Sequence, residues 1–493
     1  MKKLILLPFI AGFLFPLVKT EAQEIKQLTL EDVIQLSETQ SPNALMARNR
    51  FRASYWQYRT FVAEYRPSLT FQGTTPDYSN SYTRVWNSVK GEWDYVVTNV
   101  LQNLAMLSLS QNIGFTGASI SLNSNLTIEN DFERETQKYI TTPLSIRLVQ
   151  PLFRYNSLRW QKKTEPLKYA AAKQTYLSNI EAVHTEAVMR FFSLALAQIN
   201  KQIAEMNFAN ADTLYEIAQG RYTLGTIAEN ELLELQLSWL NTETARKEAE
   251  MNLRDREIRL RSFLGFNENV RLELIVPSEV PDLQLDAQEV LDLAHANNPQ
   301  LLNYQLTLLT AESNVAQAKA DKGLNADLIA SYGLRDQDPS FKLAYQESNR
   351  SQGVRVGLTI PILDWGLGRG RYKMAVSNLE LAQVQTAQAY TDFDQNLALD
   401  VAQFNLQAEQ VAIAAKSDTV AMRMYEVTKQ RFLIGKIAIL ELNNADTKKD
   451  QNRRAFVSAL QNYWNYYFNM RSLALYDFVN RKPLETEYEK LLD

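Results

Sequence analysis

One motif constrains the fold of this chain more than any other, because it occurs twice and each copy separates two long helical patterns. Residues 221–227 read Arg-Tyr-Thr-Leu-Gly-Thr-Ile, and residues 431–437 read Arg-Phe-Leu-Ile-Gly-Lys-Ile. In each copy a helical pattern of Ala, Leu and charged residues runs up to the Arg, breaks at the Gly and resumes at once. Glycine adopts the positive φ that closes a helix without a Cβ clash. The sequence therefore predicts two long helical hairpins with equivalent tips.

Other duplicated features show how the two halves differ. Pro42 and Pro299 each follow a short capped helix pattern and lie 257 residues apart. Pro151 and Pro361 each end a strand pattern and lie 210 residues apart, which is also the spacing of the two tip glycines. This constant spacing predicts long helices of equal length in both halves. The change from 257 to 210 places about 47 extra residues of the first half before Pro151.

The predicted organisation has five parts. Residues 1–22 begin with the pair Lys2-Lys3, continue with an apolar stretch and end with small residues at the cleavage position, which is typical of a secretory signal. The other boundaries are 23–276 for the first repeat with strands near 67–152, 277–285 for the linker, 286–476 for the second repeat with strands near 326–361, and 477–493 for a C-terminal tail.

Several segments alternate between apolar and polar side chains. The pattern is clear in residues 118–128, 144–148 and 354–360. Segments of about ten residues with one wet face and one apolar face suit a transmembrane barrel, although a half-buried soluble sheet alternates in the same way. In a barrel, Arg147 and Arg355 would lie on the polar side that faces the lumen.

The strand count is too low for one chain to close a barrel. The second half has two strands, 326–334 and 352–361, and the first half has two certain strands and an expected extra hairpin near 104–128. The polar stretches 74–103 and 129–142 are interpreted as long outer loops. Four to six strands cannot enclose an open lumen. Several copies of the chain would therefore have to share one barrel.

Composition argues against several other classes of protein. The absence of Cys excludes a disulfide framework, a thiol metal site and a lipid-anchored N-terminal Cys. A net charge of −4 gives no support for binding nucleic acid. His184 and His295 lie far apart and lack ligand-spaced partners, so no metal site is expected. No nucleophile elbow or adjacent acid-base pair indicates an enzyme, and no cofactor is expected.

The order and spacing of the duplicated features resemble the TolC-type outer membrane efflux family. The resemblance rests on the helix ends at Pro42 and Pro299, the strand exits at 150–153 and 360–363 and the two Arg-x-x-x-Gly tips, and it covers nearly the whole mature chain. It implies a mainly α fold with a membrane β-barrel portion, in which a duplicated strand-plus-long-helical-hairpin repeat forms a trimeric outer membrane β-barrel and a periplasmic α-helical tunnel. The implied partners are two further copies in a homotrimer, a periplasmic adaptor (membrane fusion) protein, an inner-membrane RND or ABC-type transporter, and outer membrane lipid.

The resemblance also implies roles for the tip residues. Arg221, Gly225, Arg431 and Gly435 would form the tips that dock with the adaptor. The alternative is that an Arg and a Gly at a helix tip merely satisfy the last carbonyl groups.

In the family, acidic residues six and nine positions after the second tip glycine face the lumen and narrow the periplasmic mouth. Those positions are Glu441 and Asn444 here, so the inner acidic residue is missing. The corresponding residues of the first half are Glu231 and Glu234. We hypothesise that Lys436 and Glu231 help to hold the closed state. A solvated helix face is the alternative for each of these glutamates.

The predicted function is a passive exit duct in the outer membrane that extends into the periplasm and exports substrates delivered by a pump. A protein-secretion outlet would have the same fold and differ only in the attached transporter. A periplasmic coiled-coil adaptor or scaffold would share the helices but have no membrane barrel.

Overall fold

The computed structural model describes residues 25–266, 270–346, 348–434, 436–437 and 439–492. The predicted signal segment at 1–22 and the tip residue Gly435 therefore lie outside the described residues.

Helices make up most of the described chain, and two of them are unusually long. The helices are α1 (Leu30–Gln40), α2 (Pro42–Glu64), α3 (Ser157–Thr223), α4 (Glu229–Leu264), α5 (Ala287–Asn297), α6 (Pro299–Asp321), α7 (Phe341–Gln346), α8 (Leu367–Leu433) and α9 (Ile439–Ala474). The strands are β1 (Ile25–Thr29), β2 (Ser68–Asn87), β3 (Glu92–Ile113), β4 (Ala118–Asp131), β5 (Thr136–Leu152), β6 (Arg271–Ile275), β7 (Asn325–Asp338), β8 (Asn349–Thr359), β9 (Tyr476–Asp477) and β10 (Lys482–Pro483). Among the described residues, no helix combines the length and the apolar character needed to cross a membrane.

The two halves repeat the same helices, as their spacing predicts. Helices α3 and α8 each have 67 residues, and α4 and α9 each have 36. The shorter pairs also match, with 11 residues in α1 and α5 and 23 in α2 and α6. Thr29 and Asp286 cap α1 and α5 through side-chain oxygens that accept a backbone N–H three residues on. The prediction of equal long helices is confirmed.

Six strands form one antiparallel sheet in the order β2-β3-β4-β5-β7-β8. At the spacing of 257, β7 matches β2, and at the spacing of 210 the exit of β8 matches the exit of β5. The extra residues of the first half are therefore the β3–β4 hairpin, inserted between β2 and β5. Both edge strands of the sheet, β2 and β8, have one side without a strand partner among the described residues.

The interpretation of 74–103 and 129–142 as long outer loops is wrong. Strands β2 and β3 pair as far as Asn87 opposite Glu92, and β4 and β5 pair as far as Asp131 opposite Thr136. Only turns of four residues separate the strands of each hairpin. The polar residues of these stretches alternate with Tyr, Trp and Val, and cross-strand pairing satisfies their backbone groups, so they extend the strands.

The described chain divides into two compact units that each draw on both sequence repeats. The first unit contains residues 25–45, 180–284 and 403–469, and its core includes Phe191 and Leu460. The second unit contains residues 46–179, 285–402 and 470–492, including the six-stranded sheet, and its core includes Leu397. The boundaries of the two sequence repeats stay a prediction, since the compact units cut across them.

Candidate functional site

The first tip closes α3 with a hydrogen-bonded glycine turn. Gly225 has φ +71° and donates its N–H to the carbonyl of Tyr222 at 2.9 Å. The backbone N–H and the hydroxyl of Thr226 both donate to the carbonyl of Arg221, at 2.9 and 2.8 Å. This arrangement satisfies the carbonyl groups that the end of a helix leaves unpaired. A Cβ built on Gly225 would meet nothing within 4 Å, so the backbone conformation, and not space, requires glycine here.

The second tip repeats this geometry 210 residues later. Lys436 N–H donates to the carbonyl of Arg431 at 3.0 Å, just as Thr226 does to Arg221. Ile434 N–H donates to the carbonyl of Gln430 at 3.3 Å. The main-chain oxygens of both arginines are thus used in closing the helices. Their guanidinium groups lie on exposed residues and remain available to a partner.

We expect Gly225→Ala to loosen the first tip. Alanine in the left-handed region costs roughly 1–2 kcal/mol, so amides near the tip should exchange with solvent faster in hydrogen–deuterium exchange mass spectrometry. Gly220→Ala is the matched control, because Gly220 lies inside α3 and has open space around its Cβ position. That change should stabilise the helix by roughly 0.5–1 kcal/mol. Equal exchange rates in the two variants would contradict the conformational role of Gly225.

Both tips carry an exposed apolar side chain. The Arg-x-x-x-Gly motif does not reveal these residues, because it specifies only the Arg and the Gly. Leu224 is 78% exposed and Ile434 is 65% exposed. They occupy the same repeat position, since 210 residues separate them. Aligning the two tip motifs residue by residue would have found this pair. Large exposed apolar residues of this kind suit a protein contact.

The predicted gate residues lie on the first turns after the tips. Glu231 and Glu234 are exposed near the start of α4, and Glu441 and Asn444 are exposed near the start of α9. Acidic residues at a helix start also interact favourably with the helix dipole. Among the described ion pairs of one chain, none joins Glu231 to Lys436. The Glu231–Lys436 contact therefore stays a prediction.

Side-chain contacts place four helix segments of the first unit in the order α4, α3, α9, α8. The contacts join Trp239 to Asp212 at 2.9 Å, Asn207 to Asp450 at 3.1 Å and Arg453 to Asp418 at 3.0 Å. Helices α4 and α8 therefore stand at the two ends of this row.

A buried lysine, which no pattern in the sequence indicates, holds α9 against α8. Lys449 is 3% exposed, with its ammonium 2.5 Å from Asp446, 3.3 Å from Asp450 and 4.1 Å from the centre of the Tyr425 ring. Asp450 also accepts a hydrogen bond from Asn207 of α3. Burial lowers the pKa of Lys449, but the hydrogen bond and charge of Asp446 outweigh this and hold it above its ordinary value. The spacing of Asp446 and Lys449 suggests an ion pair, but it does not reveal burial.

The two faces of the sheet differ, as the alternation predicts. Arg147 lies opposite Ser121 and Ser331, and Arg355 lies opposite Ile329, which places both arginines on the same face. Hydrogen bonds link polar neighbours on this face, including Ser108 to Asn123 at 2.6 Å, Gln102 to Glu129 at 2.7 Å and Ser68 to Ser110 at 2.8 Å. The opposite face carries apolar residues that align across the strands, namely Ile120, Leu122, Ile146, Leu148, Ala330, Val354 and Val356. The lumen-facing role of the two arginines stays a prediction.

Neither histidine forms a metal site in the described part of the chain. His184 is buried, 3.4 Å from Glu181 and 3.5 Å from Glu38. Burial lowers its pKa, but the nearby carboxylates of Glu181 and Glu38 more than offset this and raise the pKa above its ordinary value. His295 is exposed and lies 2.7 Å from Asp394. Within the described ranges, no group of three or more His, Cys, Asp or Glu side chains could hold a metal ion.

Known proteins that resemble this chain in sequence or fold are outer membrane proteins, and one of them is described as an outer membrane channel. Outer membrane protein TolC of Escherichia coli (strain K12) is 21% identical over 345 residues, which cover 67% of this chain and 69% of that protein. The CmeC outer membrane channel of Campylobacter jejuni has the same fold, with a TM-score of 0.65 and 14% identity over 94% of this chain and 88% of that one. The outer membrane protein VceC of Vibrio cholerae gives a TM-score of 0.60 and 14% identity over 92% and 97% of the two chains.

A sequence profile for the family described as "Outer membrane efflux protein" matches residues 33–266 and 290–474. These ranges include both tips, all the long helices and the six-stranded sheet. The chain therefore belongs to the outer membrane efflux protein family.

Proposed function

We propose that three copies of this chain form the passive exit duct of a three-part export system. An inner-membrane transporter of the RND or ABC type would deliver the substrate, and a periplasmic adaptor would join that transporter to the tips. As a family member, the chain is an outer membrane efflux channel that extends into the periplasm, and it is not an enzyme. The alternative of a coiled-coil adaptor without a barrel is disfavoured, because the family match covers the strands as well as the helices.

The observation that carries the proposal of several copies is the pair of apolar stripes at the two ends of the helical row. On α8 the exposed residues Leu406, Ile413, Val420 and Val427 follow one another at intervals of seven. On α4 the exposed apolar residues are Leu233, Leu237, Leu240, Met251 and Ile258. A strict seven-residue interval is the seam of a coiled coil, which requires a facing helix.

The simplest partner for each stripe is the other stripe on a neighbouring copy. Packing α4 of one copy on α8 of the next is a head-to-tail contact, and such contacts close into a ring when the rotation fits. The resemblance to the TolC-type family supports three copies. Such a ring would bury both apolar stripes and leave no outer helix without a neighbour.

The free edges of the sheet support the same assembly. Within the described part of the chain, β2 and β8 each have one edge without a strand partner, and the backbone groups along such an edge must find partners in a membrane. We propose that β8 of one copy pairs with β2 of the next, so that three six-stranded sheets close one barrel of 18 strands. Barrels of about 16–18 strands enclose an aqueous channel. The apolar face would meet lipid, and the face with Arg147 and Arg355 would line the lumen.

The tips are the proposed docking surface for the adaptor. Arg221 and Arg431 offer donors to carbonyl or carboxylate groups, while Leu224 and Ile434 offer apolar contacts. Gly225 belongs to the same surface because it turns the chain at the first tip, and Gly435, which lies outside the described residues, is included because it holds the equivalent place in the second motif.

Docking can be tested with the adaptor of the same organism. We expect Leu224→Ser with Ile434→Ser to reduce co-purification of a co-expressed adaptor by at least about tenfold, since two exposed apolar side chains are lost. The control is Lys247→Ser with Lys448→Ser, which changes exposed residues farther along α4 and α9. Equal adaptor recovery with both variants would argue against docking at the tips.

The gate proposal concerns the mouth formed by three sets of tips. Threefold symmetry turns Glu231, Glu234 and Glu441 into rings of carboxylates, which attract cations, while Asn444 contributes no charge. Packing α4 of one copy on α8 of the next would bring Glu231 toward Lys436 across the boundary between copies. We propose that this intersubunit ion pair helps to keep the mouth closed.

Glu231→Ala is expected to favour the open mouth. Exposed ion pairs contribute roughly 0–1 kcal/mol each, so losing three of them should shift the closed-to-open ratio by up to about 100-fold. The measurement is open probability in planar lipid bilayers. The charge swap Glu231→Lys with Lys436→Glu should restore closure. Unchanged conductance in Glu231→Ala, or no rescue by the swap, would count against the pair.

A further inference from the structure

The β2–β3 hairpin extends beyond the rest of the sheet. Strand β4 accompanies β3 only as far as Val100, which lies opposite Asp131. Strands β2 and β3 continue to pair with each other as far as Asn87 opposite Glu92. This two-stranded ribbon lies at the end of the sheet away from the helices, because α2 leads into the other end of β2.

One face of the ribbon is aromatic. Trp86 lies opposite Trp93, with ring centres 5.6 Å apart in an edge-to-face arrangement. Arg84 lies opposite Tyr95 and 5.3 Å above the ring of Trp93. Farther along the same face, Tyr82 lies opposite Val97, Asn80 opposite Asn99 and Tyr78 opposite Leu101. The other face carries small or polar pairs, such as Ser81 with Thr98 and Thr83 with Val96.

The aromatic face is exposed and has no cover within the described chain. Tyr82 is 71% exposed, Tyr95 is 65% exposed, and both tryptophans are more than half exposed. An isolated two-stranded ribbon gains little stability from its own packing. An exposed surface this rich in aromatic side chains indicates a binding partner.

The register shows which way this face points. Leu101 begins a series on β3 that continues through Ala105 and Leu109, which lie opposite Leu126 and Leu122 of β4. These residues belong to the apolar face of the sheet, and not to the face that carries Arg147. In the proposed barrel, on which this inference rests, the aromatic side chains therefore continue the surface that meets lipid and point away from the lumen.

The height of the ribbon determines what it meets. The apolar band of such a barrel is about 25 Å tall. The ribbon adds eight residue pairs beyond the end of β4, from Asn80 opposite Asn99 to Asn87 opposite Glu92, which at about 3.4 Å per residue is roughly 27 Å along the strands. Its aromatic face thus passes the hydrocarbon layer and reaches the level of the head groups on the outer side. In an outer membrane the lipid of that leaflet is a glycolipid.

We propose that the aromatic face of the β2–β3 ribbon binds the saccharide head group of outer-leaflet glycolipid. The C–H faces of sugar rings stack on aromatic rings, and their hydroxyl groups can accept from Tyr82, Tyr95 and the indole N–H groups. Arg84 adds a cation suited to the acidic groups of such glycolipids.

The test is a binding titration with the purified, detergent-solubilised protein. The probes are lipopolysaccharide with a complete core, the core oligosaccharide freed of its acyl chains, and phosphatidylglycerol. We expect Tyr82→Ser with Trp86→Ser and Tyr95→Ser to weaken binding of both sugar-bearing probes by at least about tenfold and to leave phosphatidylglycerol binding unchanged. Val85→Ser with Val96→Ser is the matched control, because these residues lie on the other face of the same ribbon and are also exposed.

Three results would overturn the proposal. The first is unchanged affinity of the aromatic variant for both sugar-bearing probes. The second is an equal loss for phosphatidylglycerol, which would indicate a general lipid anchor. The third is a change in the number of copies per particle with no change in sugar binding, which would show that the ribbon packs on another copy. If the triple variant does not fold, Tyr82→Ser alone should still weaken binding of the sugar-bearing probes a few-fold. Unchanged binding in that single variant would also overturn the proposal.

Discussion

Replacing Ile413 and Val420 with aspartate is expected to convert the assembled duct into separate chains. Both residues lie in the seven-residue stripe of α8 and are more than half exposed in one chain. In the proposed ring they are buried against α4 of the next copy. An unpaired carboxylate in such an interface costs on the order of several kcal/mol, and each copy would carry two. The size of the detergent-solubilised particle, measured by light scattering after gel filtration, should fall to that of a single chain.

The matched control uses the same helix and the same added charge. Ala412 and Thr419 each precede a stripe residue, so they lie about 100° around α8, and both are exposed. Ala412→Asp with Thr419→Asp should leave the particle size unchanged. A stripe variant that remains as large as the control would show that α8 does not form the contact between copies. Because the duct requires the ring, the stripe variant should also abolish conductance in planar bilayers.

Replacing Lys449 with alanine is expected to cause the largest loss of stability within a single chain. The lysine is 3% exposed, and its removal leaves the carboxylates of Asp446 and Asp450 without their cation. Removing one partner of a buried ion pair typically costs about 3–5 kcal/mol. The thermal midpoint of the helical circular dichroism signal should therefore fall by several degrees. Lys448→Ala is the control, because the neighbouring lysine is exposed and should lose less than about 1 kcal/mol.

The pH dependence of the Lys449 effect has a definite sign. The folded pKa of Lys449 lies above its ordinary value of 10.5. The stabilisation is therefore complete below pH 10.5 and is lost as the pH rises through the folded pKa. The difference between wild type and Lys449→Ala should stay constant from pH 6 to pH 9 and shrink only in stronger base. A difference that already declines in neutral solution would mean that another group is responsible.

The sequence alone determined the features that depend on neighbouring residues. A Gly that follows a helical pattern predicts the turns at the tips, because only the local φ is involved. The spacing of 210 predicts helices of equal length, because both ends of each helix carry a local signal. Alternation predicts the two faces of the sheet, because side chains of a strand point to opposite sides in turn. Alternation therefore places Arg147 and Arg355 on one face, and the register agrees.

Only the tertiary structure decided what residues distant in sequence do together. The ring of Tyr425 on α8 packs against Lys449, and Asn207 of α3 donates to Asp450, which pairs with Lys449. No local pattern on α9 encodes either contact. The polarity of residues 74–103 suggests a loop, whereas in the structure these residues belong to β2 and β3, which pair with each other. Cross-strand hydrogen bonds satisfy an extended backbone whether its side chains are polar or apolar. The order α4, α3, α9, α8 also follows only from contacts between distant residues. This order places the two apolar stripes at the ends of the row of helices. Helix formation and alternation are local properties of the backbone, whereas burial and pairing depend on where the rest of the chain lies.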